Sequence, residues 1–452
     1  MKMGKTVNNS EKDTTFRNIL RIAVPLMISG LSTSLVNLTD TLFLSQLGPT
    51  ELGGAGNALL LLTVLLVIGM GFSTGAQIIL SRRNGERNYT AIGSIVQHSW
   101  IFMVFWSVIV ILFLFFALPH FSGSIVQNPS IRGVIHEYLH ARSWGIVFNS
   151  INVVFVAFYV GVTQTKIIGF ITPVVAGVNI ALDYLLIFGG FGIPAFGVSG
   201  AAYASNLSEL LGTLIYLLFT IYVFNHSKYR LFNWQGLRLK AYKNILKLSS
   251  PVMVQNFVSL AAWFSFFTII EHLGEKELAA SHIIRSIYMV LIIPVFGLGD
   301  TTNSLTGNLL GRKKPQAVFT LIKNMNIIGI IYCFILQPVL YLFGEHLFLP
   351  FTSDPEIIEL GLPSMRVVFT ALFIFTSVII GFRVISGAGK TLVGLGIEII
   401  TVAVYLYSAW YLANLPEVEL YLVWMSEFIY FGVFLLIVYP YLWWGNWKET
   451  KL

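Results

Sequence analysis

IAVPLMISGLSTSLVNLTDTLFLSQLG, residues 22–48, is the stretch from which the fold can be read. It carries one charged residue, Asp40, and is otherwise apolar, small or uncharged. A helix needs about 20 mostly apolar residues to cross a bilayer, and this run is longer. Counted as 18–47, it is the first of twelve runs. The others are 55–81, 91–119, 131–160, 164–189, 197–224, 243–271, 277–310, 316–344, 357–386, 390–414 and 417–444. The chain therefore reads as an all-α polytopic membrane protein with twelve transmembrane helices. Several runs exceed the required length, which predicts tilts or kinks.

Composition agrees. Of 452 residues, 56% are hydrophobic and 11% charged, and mean hydropathy is +0.77. Soluble domains carry about 25% charged residues, so lipid must cover most of this surface. The net charge of +7 would suggest nucleic acid on a soluble protein. Here the basic residues fall between apolar runs, so they speak for orientation and no nucleic-acid partner is expected. With both termini cytoplasmic, 21 of the 28 Lys and Arg lie in inside segments and two, Arg132 and Lys276, lie outside. That asymmetry fixes the expected topology. The expected layout is a disordered cytoplasmic tail over 1–17 and an N-terminal six-helix lobe over 18–224. A cytoplasmic linker (225–242), a C-terminal lobe (243–444) and a cytoplasmic tail (445–452) complete it.

The lobes repeat. Pro25 and Gly48 recur as Pro251 and Gly274, Gly85 as Gly311, and Gly161 as Gly387. All four pairs are 226 residues apart, half the chain. Each half holds an even number of spans, so the repeats share one orientation, with a substrate space expected between the lobes.

The order of these landmarks resembles the multidrug and toxic compound extrusion (MATE) family, prokaryotic branch. The resemblance rests on Pro25 with NLTDTLFLSQLG, VGVTQTK before NIALDYLLIFG, GVSGAAYAS after it, and IPVFGLG with NLLGRKKPQA in the second half. It covers about residues 18–440. It implies two six-helix bundles in a V shape in the bacterial inner membrane. It also implies a monomer that exports organic cations or other small amphiphilic molecules by antiport against H⁺ or Na⁺. No other cofactor is implied, and no enzyme activity.

Ionisable residues inside spans are costly and are functional candidates by default. Six acids qualify: Asp40, Asp183, Glu209, Asp300, Glu398 and Glu427. The first and fifth runs travel outward, and Asp40 and Asp183 stand eight and six residues before the glycines that end them. Ser205 stands eight residues into the returning sixth run. At 1.5 Å per residue all three lie roughly 9–12 Å below the outer surface. Asn179 shares a helix face with Asp183. These four are the candidate cation- or proton-binding residues, and they match the acids, amide and small hydroxyl of the resembled family. Sodium would use Asp40, Asn179 and Asp183; a proton needs only a buried carboxyl, and H⁺ is the preferred expectation. Asn149, Asn152 and Glu209 are candidate extensions of the site, and Pro25 is a candidate kink on the Asp40 helix. The second half does not repeat the site: Phe266, Tyr405 and Ala409 stand where Asp40, Asn179 and Asp183 would recur. Ser259 occupies the place of a seventh-helix glutamate found in one branch of the family. Glu398 is expected to pair with Arg366 or Arg383, and Asp300 to reach headgroups.

Other signals fail. SGAGKT (386–391) has Val384 where a phosphate-binding loop needs its first glycine, and no strand precedes it. The eight histidines lack metal-ligand spacing, and the single Cys333 excludes a disulfide framework. A flippase of lipid-linked oligosaccharides is the alternative transport function, and a membrane-embedded enzyme or receptor the alternative of another class.

Overall fold

A computed structural model of the chain describes residues 13–234 and 236–450. Helices α1 (Phe16–Ser45), α2 (Pro49–Gly85), α3 (Tyr89–Leu112), α4 (Leu118–Ile125), α5 (Pro129–Ser143), α6 (Gly145–Gly161), α7 (Lys166–Phe188) and α8 (Gly197–Leu218) build the first half. After α9 (His226–Tyr229), the second half follows as α10 (Leu239–Glu271), α11 (Glu275–Leu291), α12 (Ile293–Gly311), α13 (Gln316–Phe348), α14 (Pro355–Gly387), α15 (Thr391–Ala413), α16 (Leu420–Trp424) and α17 (Ser426–Trp444). Ten spans are long and apolar enough to cross a membrane, and two bent helix pairs raise the number to twelve. They fall on the twelve runs read from the sequence. Residues 1–12 of the expected tail lie outside the described residues; Thr14 is already held, its carbonyl accepting from Asn324 Nδ2 at 2.7 Å.

The duplication is visible in the backbone. Gly48 and Gly274 open α2 and α11 with φ of 142° and 156°, a conformation that side chains resist. Each is crowded by the carboxylate three residues on, Glu51 and Glu277. Arg87 and Lys313, also 226 apart, both have φ of 59° in the turns that follow α2 and α12.

Where the halves part, the cause is local. α2 runs unbroken for 37 residues, whereas its counterpart bends by 46° between α11 and α12. Pro294 stands just after that break and has no N–H to continue the helix; α2 has Ile68 at the matching position. Conversely, the fourth span bends by 56° between α5 and α6, while its counterpart α14 is one helix. A Cβ on Gly145 would lie 1.9 Å from Asn206 Oδ1 and 2.5 Å from Arg142 Nη1. Polar side chains wedged against the backbone here are a recognised cause of a sharp bend. The sequence reading had taken both stretches as single spans.

The chain packs as two compact units. One comprises Val24–Met253; the other comprises the described residues up to Ala23 together with those from Val254 onward. The divisions fall inside α1 and α10, each within three residues of its proline, Pro25 or Pro251. The first unit's outer core gathers Leu44, Ala58, Leu114, Tyr138, Ile146 and Ala202, and the second unit's gathers Phe266, Phe348, Met365, Phe369 and Trp424. The linker after α8 is strapped to α3: Gln97 Nε2 donates to the carbonyls of Leu231 (2.9 Å) and Asn233 (2.8 Å), and His98 Nε2 accepts from the Arg238 N–H (2.9 Å).

Candidate functional site

Helices α1 and α7 meet at successive points whose sequence separation is 144 or 143 residues. A Cβ on Gly169 would touch the Pro25 ring at 2.7 Å, so the two backbones meet closely there. One turn on, Ser29 Oγ donates to Thr172 Oγ1 at 3.0 Å, 143 residues away in sequence. The same separation, about three helical turns nearer the outer end, brings Asp40 and Asp183 together. Their carboxyl groups are within hydrogen-bonding distance of each other. Two carboxyl groups hydrogen-bond only through a proton, so the pair is able to share one.

Both acids are buried, Asp183 fully and Asp40 at 8% exposure. Asn179 lies one turn deeper on α7. With its amide turned to satisfy both ends, its nitrogen donates to Asp183 Oδ2 (3.2 Å) and its oxygen accepts from the backbone N–H of Ser205 on α8 (3.3 Å). The four sequence candidates are thus contiguous, although Ser205 enters through its backbone and not its hydroxyl. Asp40 Oδ1 and Asp183 Oδ1 have no hydrogen-bond partner among the described residues.

The three extension candidates converge on a buried arginine that the sequence analysis does not single out. Arg142, near the end of α5, is 6% exposed. Its Nη2 meets Glu209 Oε1 at 2.6 Å and its Nη1 donates to Asn206 Oδ1 at 2.7 Å. Asn149 Nδ2 donates to the same Glu209 oxygen (2.8 Å), and Asn152 Nδ2 to the Glu209 carbonyl (2.9 Å). Asn206 Nδ2 closes the network on the Ala141 carbonyl at 2.7 Å. Glu209 Oε2 has no partner among the described residues. Arg142 and Tyr138, one turn earlier on the same face, both lie within charge–charge reach of Asp40. A buried arginine must find an anion, and that rule applied to Arg142 was the signal that could have found this pair.

The remaining acids lie in the other unit. Glu398 pairs with neither expected arginine. It accepts from Ser259 Oγ at 2.7 Å, so Ser259 meets a glutamate brought by α15. Arg383 instead approaches Asp300 at 3.4 Å, and Arg366 lies over the Tyr341 ring. Glu427 accepts from the Tyr405 hydroxyl at 3.0 Å. Among the described residues, no group of three or more His, Cys, Asp or Glu could hold a metal.

A family model described as MatE matches the chain twice, over residues 25–185 and 251–410, so that its two starts are 226 residues apart. A probable multidrug resistance protein NorM of Thermotoga maritima is 28% identical over 360 residues, covering 78% of this chain and 75% of that protein. A protein of the same description from Rhizobium meliloti is 28% identical over 327 residues, covering 68% of each. The fold matches that of a MATE-family multidrug resistance transporter solved in an outward-facing conformation, with a TM-score of 0.88, 21% identity and 96% of each chain covered.

Proposed function

The chain belongs to the MATE family of multidrug efflux transporters, and from that premise we propose that it exports organic cations or amphiphilic molecules in exchange for protons taken up at Asp40 and Asp183. It is a multi-pass membrane transporter and not an enzyme. The observation that carries the reading is the pairing of the two carboxyls. Buried side by side, they exchange a proton at little structural cost, and two charges cannot persist there together. Asn179 and the Ser205 N–H hold Asp183 in place, which keeps the pair in register through the cycle.

Both termini stand on the cytoplasmic side of a bacterial inner membrane in this reading, as the distribution of Lys and Arg requires. The protein acts as a monomer, with its lobes and linker bounded as the sequence suggests. Sodium coupling is the second reading, favoured by the oxygen-rich surroundings of Asp40, Asn179 and Asp183. The test uses proteoliposomes and ethidium, an organic cation. A pH gradient without Na⁺ drives ethidium transport in the native chain, and Asp40→Asn or Asp183→Asn reduces it at least roughly tenfold with normal insertion. Strict dependence on Na⁺ with no response to pH would replace the proton by sodium. Normal transport by both variants would remove the site.

A further inference from the structure

We propose that Arg142 and Glu209 form an internal charge regulator for the Asp40–Asp183 pair, with Arg142 serving as a built-in counter-cation that sets how tightly the pair holds its proton. The inference rests on the reading of Asp40 and Asp183 as the coupling site and adds two residues to it.

The argument begins with charge. With one shared proton the aspartate pair carries one negative charge, Glu209 a second and Arg142 one positive. The cluster is then one charge short of neutral, so one further cation neutralises it. Without Arg142 it would be two short. In a water-poor interior each such charge matters, because Coulomb interactions there are screened far less than in water.

Geometry ties Arg142 to both centres: it bonds Glu209 directly, and its other partner, Asn206, follows Ser205, whose N–H meets the Asn179 amide beside Asp183. Its guanidinium is locked by Glu209 Oε1 at 2.6 Å and Asn206 Oδ1 at 2.7 Å. Asn149 fastens the same Glu209 oxygen from α6, at 2.8 Å. The titratable groups that face Arg142 are Tyr138 on its own helix, Glu209 from α8 and Asp40 from α1. Held at the 56° bend between α5 and α6, the guanidinium cannot leave without repacking that break. The fixed donors all converge on Glu209 Oε1, while Oε2 has no partner among the described residues. The carboxylate is therefore anchored by one oxygen.

The two members push the pair in opposite directions. Arg142 favours the ionised pair, and Glu209 opposes it by occupying Arg142. Removing each alone must therefore give shifts of opposite sign, whereas loss of structure would move both variants the same way.

The experiment follows proton uptake by the full-length purified protein in nanodiscs, read from the carboxyl bands in infrared difference spectra against pH. Asp183→Asn identifies the bands. Arg142→Gln is expected to move the midpoint of proton release to higher pH, by roughly tenfold in proton affinity or more. Glu209→Gln is expected to move it to lower pH, and the Arg142→Gln/Glu209→Gln double variant to return it close to the native value. Arg142→Lys, which keeps the charge, holds the native midpoint and serves with the double variant if either single variant fails to insert. Shifts of the same sign in the two single variants, an unmoved midpoint in Arg142→Gln, or a double variant displaced as far as a single one would overturn the proposal. A native protein with no band sensitive to Asp183→Asn would instead remove the coupling site itself.

Discussion

In the unit spanning Val24–Met253, Asp40, Asn179 and Asp183 meet in a hydrogen-bonded polar cluster. The matching positions of the other unit hold Phe266, Tyr405 and Ala409. There Phe266 stacks on Tyr405 with centroids 5.3 Å apart and takes the edge of Trp424 at 4.8 Å, and Ala409 is fully buried beside them. The same comparison extends to Arg142, whose counterpart is Val368. A duplicated scaffold has kept its glycine turns and proline helices and exchanged the filling of one layer. The difference separates two tasks. Aromatic packing needs no ion and gains from burial. A buried carboxyl pair is costly, and under the reading proposed above its presence in one unit assigns the coupling to that unit.

The sharpest way to break this comparison is to exchange the fillings. Ala409→Asp would bury an unpaired carboxyl among Phe266, Tyr405 and Trp424, at a cost of about 3–5 kcal/mol. The expected outcome is a marked fall in thermal stability and in membrane accumulation. Asp183→Ala in the first unit is roughly neutral for stability, because Asp40 can hold a proton alone, but it abolishes transport. Equal stability losses in the two variants, measured by thermal unfolding in detergent, would show that the acid pair is a packing device.

The bent fourth span gives a smaller effect. Gly145→Ala forces a methyl against Asn206 and Arg142, whereas the counterpart position is natively Ala371 inside the unbroken α14. We expect a loss of about 1–3 kcal/mol and impaired transport. A fully stable, active Gly145→Ala would mean that the bend does not depend on this crowding. Smaller again is Gln97→Leu, which strips the donors from the Leu231 and Asn233 carbonyls. At about 1–2 kcal/mol it should loosen the linker alone, seen as faster proteolysis within 225–242 with transport retained.

Much of this was legible in the sequence, and the limits have physical causes. Hydropathy and the 226-residue offset gave spans and repeats because lipid exposure and turn geometry act on every residue of a run. Counting residues from the outer face put Asp40, Asp183 and Ser205 on one level, since helix rise is constant. Depth carries no information about azimuth. Hence the pairing of Arg142 with Glu209, 67 residues on, stayed hidden, and Glu398 was assigned to arginines although it meets Ser259, 139 residues away. The bends escaped for a related reason. Pro294 was visible, but the wedge behind Trp144 depends on which side chains a neighbouring helix presents.

The smallest expected effect tests the silent half most directly. Tyr405 donates to Glu427 Oε1 at 3.0 Å, and both are buried in the aromatic filling of the second unit. Glu427 lies in a span as Glu209 does, and each follows a serine in the last span of its half. Among the described residues no arginine forms an ion pair with Glu427; its partner is the Tyr405 hydroxyl, and its burial in aromatic packing fits a structural carboxyl. Tyr405→Phe removes that hydroxyl and leaves the ring stacked on Phe266. A lost buried hydrogen bond costs about 1 kcal/mol, enough to see in thermal unfolding. Ethidium transport and its pH profile should be unchanged, because no proton is exchanged at this acid. A displaced pH profile in Tyr405→Phe, with the profile of Asp183→Asn still flat, would place a second titrating carboxyl in the aromatic unit. The two halves would then share the work that the proposed reading assigns to one, and Glu427 would have to be counted among the groups that couple the ion to the cargo.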